Sequence, residues 1–388
     1  MSNDLYFDFD TPVERRGTSS MKWDKYRARD IIPLWVADMD FRSPPAICDA
    51  LHKRIDHGVF GYTMPPSEVD DVVVSMLQTS YGWKIKSEWL VWLPGLVTGL
   101  NVACRAVGDD GDDVITAVPV YPPFLSAPFN FNRNLIKVPL VENSNRWHFD
   151  FDRLEQAITP KTRLFMLCNP HNPIGRVYTR EELTTLADIC EKHNIVICSD
   201  EIHSGLILDP DKTHIPTATL GSAIAQRTIT LMSSSKTFNT PGLGCAFAVI
   251  SNEALRQRFI RATTGIVPMV NAMGYIATLA AFRNCSDWHD ALLNYLRANR
   301  DCVSRVISQL PNLSIAPVEA TYLAWIDVRD AGLKHPIQFF EEAGVGLQKG
   351  AEFAGAGFVR LNFGCPRAIL EKALNRMASA LEANTQNK

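Results

Sequence analysis

Long apolar runs are missing from this sequence. No segment of its 388 residues approaches the roughly 18 unbroken apolar residues of a membrane-spanning helix, so no membrane contact is expected. A surplus of one charge is missing too. Lys and Arg number 39 against 42 Asp and Glu, a net charge of −3, so nothing advertises nucleic acid or an anionic surface as a partner. Paired cysteines are absent. The nine cysteines (Cys48, Cys104, Cys168, Cys190, Cys198, Cys245, Cys285, Cys302 and Cys365) form no C-x-x-C pair, and several lie inside apolar runs. That suits reduced, buried thiols in a cytosolic protein better than a disulfide framework or a zinc site, so no metal is expected. The opening "MSNDLYFDFDTPVERRGTSS" lacks a basic stretch followed by an apolar one. It is not expected to be a signal peptide, and the expected location is cytoplasmic. Internal repeats and low-complexity tracts are also lacking.

What is present is the composition of a soluble globular protein, 46% hydrophobic and 21% charged, long enough for two domains sharing an interface. The middle of the chain alternates short apolar runs with helical patterns. "DVITAVPVY" (113–121), "NLIKVPL" (134–140), "TRLFMLCNP" (162–170), "NIVICSDEI" (194–202), "RTITLMSSSK" (227–236) and "GCAFAVI" (244–250) read as strands. Most are apolar continuously rather than alternately, as expected for a parallel sheet covered on both faces. "TREELTTLADICEKHN" (179–194) reads as a helix opened by a capping box, Thr179 with Glu182. The fold class is therefore α/β: a large domain with a mainly parallel central sheet flanked by helices. From about residue 285 a long helical pattern (286–310) precedes two alternating strands (321–328 and 357–364) and a last helix from about Pro366. These describe a smaller α+β domain. The expected division is 46–285 for the large domain and 286–388 for the small one, with 1–45 packing against the latter. The helices around 252–310 are expected to connect the two.

In such sheets ligands collect beyond the carboxyl ends of the strands. The polar residues that close these runs are Tyr121, Asn169 and Asn172, Asp200 with His203, and Ser233 to Lys236. Each has a plain structural reading. Tyr121 in "VPVYPPF" could be core packing, Asn172 in "NPHNPIGR" a turn residue, Asp200 a helix cap or loop residue, and Lys236 in "SSSKTFNTPGL" a solvated turn lysine. "LPGLVTGL" (93–100) puts a Pro-Gly turn before a helical run, whose free amides at Leu96 and Val97 could hold a phosphate. Together they suggest something more specific. An enclosed lysine amine can condense with an aldehyde, and pyridoxal 5′-phosphate exploits this, given a carboxylate for its ring nitrogen.

Order and spacing carry a resemblance. "NPHNPIG…SDEIH…SSSKTFN…RLNFG" resembles the fold-type I pyridoxal-phosphate enzymes, the aspartate-aminotransferase superfamily. "KWDKY", "PLWVADMDF" and "HGVFGYT" resemble its cystathionine β-lyase-like C–S lyases, a group that includes the bifunctional lyase and maltose-regulon modulator. The likeness runs from about Asp8 to the last helix. It implies that Lys236 is the Schiff-base lysine, Asp200 the partner of the pyridine nitrogen, Asn172 a donor to the phenolate oxygen, and Tyr121 the stacking ring. Ser233, Ser235 and the amides of Leu96 and Val97 would bind the phosphate, and Arg360 the substrate carboxylate as a bidentate fork. His203 stands where aminotransferases commonly carry a tyrosine, and is expected to contact the cofactor. Tyr62 would reach the phosphate of a neighbouring subunit, which implies a homodimer with shared sites. Gly244 stands where aminotransferases commonly place an arginine on the phosphate, and Pro122 where some lyases have a second tyrosine. The implied reaction is β-elimination on cystathionine or a related S-substituted cysteine, giving a thiol, pyruvate and ammonia. The alternatives are an aminotransferase, or a regulatory binding protein that retains the cofactor.

Overall fold

Continuous apolar runs become strands here, and recurrences at three and four positions become helices. The computed structural model describes residues 7–386. Its first strand, β1 (Ile32–Pro33), is a two-residue piece. The large sheet takes β2 (Leu90–Leu93), β3 (Asp113–Val118) and β4 (Asn134–Pro139). After a hairpin of β5 (Val141–Asn143) and β6 (Arg146–His148) it adds β7 (Thr162–Cys168), β8 (Val196–Asp200), β9 (Thr228–Met232) and β10 (Ala246–Val249). The spatial order is β2-β10-β9-β8-β7-β3-β4. The five strands from β9 to β4 run parallel.

This is the expected α/β sheet, with two differences. The run "GCAFAVI" lies antiparallel to both its neighbours, and an edge strand, β2, appears where none was anticipated. A run apolar on both faces reports burial, not direction. Burial is as the runs implied, with every residue of β3, β9 and β10 inside. Successive residues serve opposite layers. Val114 and Val118 pack with Leu100, Phe124 and Phe259, whereas Ile115 and Ala117 pack with Phe165, Leu183 and Leu186.

The helix Arg180–Lys192 starts at the anticipated capping box, with Thr179 Oγ1 accepting from the Glu182 amide and Glu182 reaching back to the Thr179 amide. The helix Glu253–Thr263 differs from expectation. It buries Leu255, Phe259 and Ala262 against the helix Leu96–Ala106, so it belongs to the large sheet's outer layer rather than to a connection.

The C-terminal sheet contains β11 (Ser314–Ile315) and β12 (Leu323–Asp327). Beyond the piece β13 (Val345–Gly346) come β14 (Gln348–Lys349) and β15 (Phe358–Asn362). The order β11-β12-β15-β14 is antiparallel throughout. β1 pairs in parallel with β13, and Phe9, Ile32 and Leu34 enter the same core as Leu323, Phe340 and Leu361. The early chain is thereby tied to the late one. The helices Ser286–Gln309 and Arg367–Gln386 flank this core. Among the described residues no helix is long and apolar enough to cross a membrane. All nine cysteines are free and eight are buried.

Candidate active site

Three parallel strands deliver polar residues to one place. β8 ends on Asp200, β7 runs on through the turn 169–173 to Asn172, and β9 runs through 233–235 to Lys236. All three line a cavity of about 430 Å³, together with Tyr121, His203, Ser233, Ser235, Leu96, Val97 and Arg360. Of the eleven residues to which the resemblance gives a role, ten meet there. Tyr62 does not. It is fully exposed on the segment between the helices Pro45–His57 and Ser67–Tyr81.

Lys236 Nζ donates to the Ala37 carbonyl at 2.5 Å. Burial, with Arg360 nearby, lowers its pKa to about 8, while Asp38 and Asp200 pull the other way. Asp200 is buried, its Oδ1 accepts from the Ile202 amide at 3.1 Å, and burial raises its pKa to about 7. A turn-capping contact is thus present, but the group forms no ion pair among the described residues. Such a carboxyl is poised for a cationic N–H. His203 is buried, with Nδ1 unpartnered. Burial holds it neutral, with a pKa of about 3.

Arg360, on β15, is 2% exposed, so it is not a surface arginine. Its guanidinium donates to Asn172 Oδ1 and the Trp35 carbonyl, each at 3.0 Å, and to Gln348 Oε1, and its Nε has no partner. The fork is held by neutral acceptors and matched by no carboxylate, so it remains available for one. At the other end of the cavity Gly95 precedes the helix Leu96–Ala106, whose first amides have no intrahelical acceptor. Ser233 Oγ donates to the Cys245 carbonyl at 2.7 Å and accepts from the Ser235 amide at 3.0 Å. Hydroxyls and a helix N-terminus in one corner suit a phosphate dianion.

Gly244 lines the same corner. Its φ is +55°, and a Cβ there would lie 3.1 Å from the Pro94 carbonyl. Backbone strain and contact together disfavour a side chain at the position where an aminotransferase arginine is expected.

Another wall was not legible as site. Met21, Trp35, Val36, Ala37 and Gln348 all line the cavity. The segment 35–41 lies over it as a strap, its carbonyls taken by side-chain amides. Asn362 Nδ2 donates to Val36 and Asp38, and Asn239 Nδ2 to Met39 and Phe41, at 2.6–3.0 Å. Behind the strap, buried Lys22 and half-buried Arg15 clamp Asp38 and Asp40.

Residues 29–377 match the model of the family described as aminotransferase class I and II. The chain belongs to the aminotransferase class I and II family. Within this family it is similar to cystathionine beta-lyase PatB of Bacillus subtilis strain 168, at 38% identity over 96% of this chain and 100% of the relative. It is also similar to protein MalY of Escherichia coli K12, at 32% over 97% and 99%. Among solved structures it resembles that of OvoB, with a TM-score of 0.95 and 46% identity over 97% and 99%. The pyridoxal-phosphate-containing cystalysin of Treponema denticola gives a TM-score of 0.93 and 32% identity over 98% and 100%.

Proposed function

We propose that this protein is a pyridoxal 5′-phosphate-dependent carbon–sulfur lyase, cleaving cystathionine or related S-substituted cysteines to a thiol, pyruvate and ammonia. The observation that carries this is the meeting of Lys236, Asp200, Asn172 and Arg360 on one enclosed cavity in a chain whose relatives are named as such lyases. The fit to the cofactor rests on three features: a buried carboxyl without a cation, an amine whose proton affinity burial reduces, and a helix N-terminus beside two hydroxyls.

When bound, pyridoxal phosphate supplies an aldehyde for the amine and a ring that accepts electrons. Asp200 would hold the proton on the ring nitrogen, Asn172 would donate to the phenolate oxygen, Tyr121 would stack, and His203 would lie against the ring system. Ser233, Ser235 and the amides of Leu96 and Val97 would hold the phosphate. Arg360 would grip the substrate carboxylate and orient the Cα–H toward Lys236. Lys236 Nζ, once free, takes the Cα proton as general base, the thiolate leaves from Cβ, and water hydrolyses the released enamine to pyruvate and ammonia. On this reading residues 46–285 carry the cofactor, and 286–388 with 1–45 form the small domain.

The active unit is a homodimer, placed in the cytoplasm. The exposed apolar side chains of Val59, Phe60, Tyr62 and Met64 support it, since so many large groups in one short segment suit a partner surface. Incubation with cystathionine should release pyruvate and free thiol in equal amounts. A parallel run with 2-oxoglutarate should show little amino transfer. Transfer without thiol release would make the protein an aminotransferase.

A further inference from the structure

Next to Asp200 a second carboxylate is sealed in. Glu201 is 0% exposed and does not line the cavity. Its Oε1 accepts from the Ser199 hydroxyl at 2.8 Å and the Thr217 amide at 2.9 Å, and its Oε2 from His214 Nε2 at 2.7 Å. The Ser199 contact puts Glu201 on that residue's side of the strand, away from the Asp200 side chain. His214 is buried as well, and its Nδ1 has no partner. The ring of Tyr81 meets it edge-on at 5.4 Å.

Three donors converging on one carboxylate suit its anion. An imidazole that donates through Nε2 and has no acceptor at Nδ1 suits the neutral form. The pair then carries one negative charge, buried one residue beyond Asp200. Burying a charge is costly even where donors surround it. The charge calls for a purpose.

We propose that the Glu201–His214 pair is an electrostatic support for Asp200. Its buried negative charge strengthens Asp200's hold on the proton of a ring nitrogen placed against it, which makes Glu201 a positioning residue for the reaction. The inference rests on the pyridoxal-phosphate reading above. Burial is the main cause of the raised proton affinity of Asp200, and Glu201 adds to it, while Lys236 opposes. The other titratable groups that sense Asp200 are Cys168 at the end of β7, Cys198 within β8 and Tyr121 after β3. Around Glu201 stand His214, Asp200 and Tyr81, whose phenol Glu201 helps to keep protonated.

The test uses holoenzyme reconstituted with pyridoxal phosphate carrying ¹⁵N at the ring nitrogen, whose chemical shift reports the ring proton as pH is raised. In Glu201→Gln the ring should lose that proton about one pH unit lower than in the parent, the scale of one nearby buried charge. His214→Phe, which removes one of the three donors that hold the Glu201 carboxylate in place, should shift it in the same direction. Glu201→Asp keeps the charge but disturbs the hydrogen bonds, and should titrate close to the parent while unfolding at lower temperature. A purely structural role gives the opposite ranking: Gln benign, Asp harmful, and the ring titration unmoved in both, which overturns the proposal. A parent protein that shows no bound ring-nitrogen signal would instead remove the cofactor reading, and this inference with it.

Discussion

Lys236 shows how one residue acquires chemistry from its surroundings. An ordinary lysine is protonated at neutral pH and cannot attack an aldehyde. Here burial, aided by Arg360, lowers the amine to about pH 8, and Asp38 and Asp200 stop it from falling further. The sign follows directly. Below about pH 8 the folded protein holds the ammonium, and above it the free amine predominates. Capture of pyridoxal phosphate by the apoprotein, followed by stopped-flow absorbance, should therefore accelerate with pH and level off just above that value. Asp38→Asn should move the midpoint lower. A rate that keeps climbing into the ordinary lysine range would show an unperturbed amine. Asp200 was legible in the sequence because it ends an otherwise uncharged apolar run, and Lys236 because it stands among hydroxyls just before a Pro-Gly break. Ala37 was not, since it acts through its carbonyl and no side-chain pattern encodes that. Gln348 meets Arg360 only because β14 and β15 pair, and Gly244 meets Pro94 only across the fold.

Among the elements, those fixed by local chemistry were readable and those fixed by neighbours were not. The helix Arg180–Lys192 announces itself through Thr179 and Glu182, which need only each other's backbone. The direction of β10 depends on β9 and β2, so the run "GCAFAVI" could not reveal it. The cap also has a consequence at a distance. Glu182 accepts twice from Arg176, a guanidinium 1% exposed, whose other carboxylate neighbour, Glu319, lies 3.8 Å away on the approach to β12. Thr179→Ala should cost about 1 kcal/mol, the usual value of a lost N-cap. Glu182→Ala should cost about 3 kcal/mol, because it strands a buried cation as well. Urea unfolding of the two variants decides the order, and equal losses would mean that Arg176 finds another partner. Neither residue lines the cavity, so thiol release per folded molecule should stay near the parent value.

At the scale of the whole molecule the phosphate corner and the exposed segment 58–66 pose one problem together. With glycine at 244, the corner has hydroxyls and amides but no arginine within its own chain. Tyr62, by contrast, presents an exposed phenol that enters no hydrogen bond among the described residues. A second copy would satisfy both needs if Tyr62 entered its partner's cavity. Tyr62→Phe should then weaken cofactor retention by about 1–2 kcal/mol, the scale of a hydrogen bond to a charged group, without lowering the unfolding midpoint. Subunit mixing tests the sharing itself. At limiting cofactor, Tyr62→Phe and Lys236→Ala homodimers are each impaired, the first for want of retention and the second for want of the base. A mixed dimer has one site with both defects and one with neither. Mixing under conditions of subunit exchange should therefore restore up to half of the sites in each mixed dimer, seen as thiol release above the sum of the separate preparations. If exchange is verified and no activity returns, the phenol serves its own chain or none, and the corner must hold its phosphate with the residues it already has.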